Sequence, residues 1–77
     1  PDELIVQMKP GKKIDLIIDE HYRYKLFLKE NLGKDSNIYL IGFDKTTIEQ
    51  SQLLNVLKNN PNVMFVEKNN KVELRSK

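Results

Sequence analysis

Asn60-Pro61-Asn62-Val63-Met64-Phe65-Val66-Glu67 stops one element and starts another. Pro61 cannot continue a helix, and its ring pushes Asn60 out of the α region. Val63 to Val66 is a short run of strand-formers. Beyond Glu67 the chain reads Lys68-Asn69-Asn70-Lys71-Val72-Glu73-Leu74-Arg75-Ser76-Lys77. That segment is too polar for a core and too short for a domain. A strand that hands an extended tail to the outside points to a module that presents its C-terminal end to something.

Upstream of this stretch, Ile48, Leu53, Leu54 and Leu57 recur as an apolar stripe, which predicts a helix. Thr46-Thr47-Ile48-Glu49 fits a capping box, with Thr46 on the first backbone amides and Glu49 reaching back. Asn59-Asn60-Pro61 closes the helix. Ile38-Tyr39-Leu40-Ile41-Gly42-Phe43 has strong β character. Residues 31–37 are polar, contain Gly33 and Asp35-Ser36, and suit a hairpin connection. Tyr24 to Leu28 has strand composition. From Lys12 to Arg23, Ile14, Ile17, Ile18 and Tyr22 fall at helical spacing, which predicts a first helix, although such Ile content is also strand-like. Glu3-Leu4-Ile5-Val6-Gln7-Met8-Lys9 reads as the first strand, with Leu4, Val6 and Met8 on one face. Pro10-Gly11 ends it.

The resulting order is strand, helix, strand, strand, helix, strand. That is the split βαβ pattern, an α+β ferredoxin-like fold: a four-stranded antiparallel sheet with both helices on one face. Residues 1–70 form the body and residues 71–77 the extended tail.

Two helices on one side of a sheet leave the other side open. Strands of such a sheet should alternate apolar and polar residues, and these do so imperfectly. Ile5, Phe27, Tyr39, Ile41, Phe43, Val63 and Phe65 share parity and leave apolar residues for both faces. We therefore expect Tyr39, Ile41, Phe43, Val63 and Phe65 on an exposed apolar face of the sort that marks an interface.

The 77 residues make one domain. A chain of this size buries only about 60% of its unfolded surface and is marginally stable alone. It has no cysteine and no evident metal cluster, so neither covalent nor metal staple is at hand, which hints at a partner. The 13 basic and 11 acidic residues are interspersed, which argues against a nucleic-acid footprint. No apolar run approaches membrane-spanning length, so no membrane partner is expected. The chain opens on Pro1 rather than Met, as a processed piece would.

No catalytic constellation is visible. His21 is the single histidine, with neither nucleophile nor metal beside it. Asp15, Asp19 and Glu20 fit the solvated face of an amphipathic helix better than an acid–base pair. Gly11, Gly33 and Gly42 form no phosphate loop. Tyr39 and Phe43 would suit base stacking on a sheet, but the Lys/Arg-Gly-aromatic-Gly lead of RNA-recognition domains is missing. Neither an enzyme nor a cofactor is expected.

Three stretches resemble one family. Glu3-Leu4-Ile5-Val6-Gln7-Met8-Lys9-Pro10-Gly11, Asn37-Ile38-Tyr39-Leu40-Ile41-Gly42-Phe43-Asp44, and Leu54 to Glu67 with its Leu57, Asn60-Pro61, Val63 and Val66-Glu67 are similar, in order and spacing, to the propeptide domain of subtilisin-like serine proteases. The first helix and second strand match only in length and pattern. The resemblance implies a ferredoxin-like fold whose open sheet face packs onto two surface helices of the protease. It implies that Glu67 caps those helices, as a carboxylate complements a helix N-terminus. A second family acid falls at or near Asn69, which carries no charge. The tail would lie in the substrate cleft as an added strand, with Arg75 near the primary specificity pocket, Leu74 and Val72 at alternating subsites, and Glu73 between them. If Lys77 is the true end, the register shifts. The implied function is that of a propeptide, acting as inhibitor and intramolecular chaperone of a cognate catalytic domain from the same precursor, and so secreted, periplasmic or extracellular. The alternatives are a stand-alone inhibitor with the same interface, or a ferredoxin-like module for RNA or a small ligand.

Overall fold

The structure is a computed structural model and describes residues 3–33 and 35–69. Strands β1 (Glu3–Met8), β2 (Phe27–Gly33), β3 (Ile38–Gly42) and β4 (Val63–Lys68) alternate with helices α1 (Asp15–Glu20) and α2 (Gln50–Lys58) in the order βαββαβ. The strands form one antiparallel sheet in the order β2-β3-β1-β4. β1 and β2 therefore run parallel with β3 between them, and β3 and β4 run parallel with β1 between them, so each βαβ unit is split. This is the α+β, ferredoxin-like arrangement expected. The apolar strands β1 and β3 take the centre. The charged β2, with Lys29 and Glu30, and β4, with Glu67 and Lys68, take the edges, where charge discourages pairing with another sheet.

One side of the sheet carries the core. Leu4, Val6 and Met8 of β1, Ile41 of β3, and Val63 and Val66 of β4 are buried together with Ile14 and Ile17 at α1, and with Leu53 and Leu57 of α2. Both helices thus cover the same face. α1 has only six residues and does not reach across β2, whose Leu28 and Leu32 stay exposed.

Local chemistry set several boundaries differently from expectation. The first helix ends at Glu20, and Tyr22–Tyr24 forms a 3₁₀ turn closed by Lys25 in the left-handed region at φ 55°. Tyr24 is therefore no strand residue, and β2 begins at Phe27 and runs on to Gly33 through polar residues assigned to the connection. Thr46 does not cap α2. Its amide and hydroxyl donate to Asp44 Oδ1 at 2.9 and 2.6 Å, a local turn that uses both groups. These two bonds, with Lys25 nearby, hold the Asp44 carboxyl below its ordinary value. The capping box lies one turn later, where the Glu49 amide donates to Gln52 Oε1 at 3.3 Å.

Two asparagines tie loops to the body. Asn37, at φ 58°, donates from Nδ2 to the Lys9 and Lys12 carbonyls at 3.1 and 2.8 Å, and its Oδ1 accepts from the Tyr39 hydroxyl at 2.7 Å. Asn60 accepts from the Asn62 amide at 2.8 Å and donates to Glu20 Oε1 at 2.8 Å. The turn that Pro61 enforces is thereby fastened to the end of α1.

Candidate protein-docking face

Register decides which residues face away from the helices. Residues directly opposite on neighbouring strands share a face. Ile5 lies opposite Leu40 on one side and Glu67 on the other, and Leu40 lies opposite Glu30. One row of the open face is therefore Glu30–Leu40–Ile5–Glu67. The next is Gly33–Ile38–Gln7–Phe65, from pairs of the same ladders. At the other end, Phe27 opposes Gly42, which opposes Glu3. The face thus has an apolar strip of Ile5, Ile38, Leu40, Phe27 and Phe65. Phe27 and Phe65 are each 50% exposed, and Ile5, Ile38 and Leu40 are half-buried.

This corrects the expected membership of the face. Ile41, Phe43 and Val63 are 0%, 3% and 7% exposed and belong to the core. Tyr39 lies opposite the buried Val6 and packs against that same core. Of the five residues expected on the open face, Phe65 is there. Two physical causes produced the difference. Parity does not carry from one strand to the next, because the β1–β3 register sets odd Ile5 against even Leu40. A bulge also shifts β4 between Val63 and Phe65: Val63 opposes Met8 on the core face, and Phe65 opposes Gln7 on the open face. Ile38 and Leu40 were missed because both faces of β3 are apolar, so composition offers no contrast.

Carboxylates rim the strip. Glu30 and Glu67 sit at opposite edges, three strand spacings or about 14 Å apart. Both are exposed, and among the described residues neither carboxylate has a hydrogen bond or ion pair. Glu67 stands on the open face opposite Ile5 with its side chain exposed. Asn69 donates from Nδ2 to Glu3 Oε1 at 2.7 Å, so its amide is used within the chain. Lys29 pairs with the other oxygen of the same carboxylate. Val72, Glu73, Leu74 and Arg75 lie outside the described residues.

The His21 ring stacks on Tyr24 with centroids 6.2 Å apart and lies 3.3 Å from Asn60 Nδ2. Asp15 and Asp19 are exposed on α1. The chemistry of the open face is that of apolar surface available for burial, with carboxylates at its edges that can accept from amide hydrogens or pair with cations.

Among the described residues no helix is long and apolar enough to cross a membrane. No family model, no curated protein and no solved structure matches the chain.

Proposed function

We propose that this chain is the propeptide domain of a subtilisin-like serine protease, acting as its inhibitor and folding assistant. The observation that carries the proposal is the open sheet face, an apolar strip ending on the carboxylate of Glu67, which is exposed and has no partner among the described residues. Contiguous exposed apolar surface on a small domain marks an interface, and a carboxylate at its edge suits a helix N-terminus on the partner. The family resemblance in the Glu3–Gly11, Asn37–Asp44 and Leu54–Glu67 stretches supplies the partner's identity.

In this reading the domain provides no nucleophile. It docks by the sheet, and residues 72–75 enter the substrate cleft as a product-like strand. The same surface assists folding, because a ligand that binds only the folded protease stabilises it by mass action. The domain is secreted with its protease and separated from it by cleavage.

Mixing the full chain with a subtilisin-type protease tests this. Inhibition is expected, and it should weaken when residues 72–77 are removed. Undiminished inhibition by the shortened chain would eliminate the role of the tail. An uninhibited protease would eliminate the proposal.

A further inference from the structure

One polar cluster is not explained by docking through the open face. It lies where β4 ends. Leu4 opposite Lys68 is the last pair of the β1–β4 ladder. One residue on, the Asn69 amide donates to the Glu3 carbonyl at 3.3 Å, and Asn69 Nδ2 donates to Glu3 Oε1 at 2.7 Å. Glu3 is itself gripped from two other elements. Lys29 of β2 pairs with its second carboxylate oxygen, and Gln50 of α2 donates from Nε2 to its carbonyl at 2.8 Å. Two other elements thus hold the residue to which the end of β4 is tied.

We propose that Glu3 is a positioning residue that fixes where the chain leaves β4, and that Asn69 is an internal strut rather than a contact to the protease. The proposal rests on the reading that the following residues enter a protease cleft. A peptide bound as an added strand loses less conformational freedom when its starting point is already held. The chemistry at position 69 favours an amide. It donates to a carboxylate, and a second carboxylate there would face the Glu3 charge at hydrogen-bond distance. The family resemblance places an acid at this position for contact with the protease, so the two roles predict opposite results for one substitution.

The test uses the full chain, with inhibition of a subtilisin-type protease and hydrogen exchange of the amide at position 69 as readouts. The Leu53 and Leu57 amides report that the fold is retained. Asn69→Asp should weaken inhibition about tenfold, the scale of one lost bond to a charged group, and speed exchange at position 69. Tighter inhibition by Asn69→Asp would overturn the proposal by making the residue a protease contact. Glu3→Gln combined with Asn69→Asp reverses donor and acceptor but gives up the Glu3 charge that Lys29 pairs with, so the pair should recover part of both readouts relative to Asn69→Asp alone, a coupling that a cycle detects. A pair no better than Asn69→Asp alone would also overturn it. If the wild-type chain inhibits nothing, the functional reading fails separately. Exchange then decides the strut: protection at position 69 that Asn69→Asp abolishes supports it, and unchanged exchange refutes it.

Discussion

The ring of Phe27 lies directly over Gly42, its partner across the β2–β3 ladder. A Cβ on Gly42 would stand 2.5 Å from the Phe27 ring. The glycine is thus the seat of the aromatic at one end of the open face. An aromatic covering a strand glycine restores the side-chain contact that the glycine lacks.

Gly42→Ala should therefore displace the half-exposed Phe27 ring and lower stability by no more than about 1 kcal/mol, the low end of the cost of overpacking. Phe27→Ala made first should remove most of that penalty, because the two residues share one contact. Urea unfolding of the four members of the cycle measures it. Additive effects would mean the ring does not rest on Gly42.

Core and face should separate in their consequences. Leu57→Ala empties a fully buried position and should cost about 2–5 kcal/mol, enough to unfold much of a domain this small. Phe65→Ser, at a half-exposed position, should cost well under half of that while weakening protease inhibition. Thermal denaturation beside inhibition assays distinguishes them.

Asn37 holds a left-handed backbone and donates to two loop carbonyls. Asn37→Asp keeps the shape and the tolerance of that backbone, yet removes the donor and sets a carboxylate against both carbonyls. A loss of about 2–3 kcal/mol is expected. Asn37→Gly, which relaxes the backbone but loses the same bonds, should be milder. Chemical denaturation at neutral pH orders the two, and the reverse order would show that backbone strain dominates.

Asp44 sets a pH dependence. Its carboxyl is held below its ordinary value of 3.8, first by the Thr46 hydroxyl and amide. A carboxyl depressed in the folded state stabilises fully above its unfolded value and loses that contribution as pH falls through the folded one. Wild-type stability should therefore decline below about pH 3.8. Asp44→Asn should decline less over the same range. Urea midpoints of both proteins from pH 6 downward read the difference, and parallel curves would exclude Asp44 as a contributor.

The order of elements was legible because β1 alternates, β3 is a run of strand-formers, and apolar residues recur at helical spacing in the two helices. β2 was displaced because Tyr24 has strand composition and Asn31 to Gly33 read as part of a connection, whereas an edge strand exposed on both faces tolerates such residues. The capping box was misplaced because Asp44, two residues before Thr46, claims both of its groups. The membership of the open face was only partly legible. Ile38-Tyr39-Leu40-Ile41 is apolar on both sides, so its orientation depends on pairing with β1, a long-range property that no count within one strand reveals. The role of Asn69 required Glu3, 66 positions away in sequence.

The most direct measurement is the change in NMR signals of the isotope-labelled chain as an inactivated subtilisin-type protease is added. Side-chain signals of Ile5, Ile38, Leu40 and Phe65, and the amide of Glu67, should shift or broaden, while those of the exposed Leu16 and Tyr22 on the helix side stay in place. Perturbation confined to Leu16 and Tyr22, with the sheet face unchanged, would contradict docking through this face.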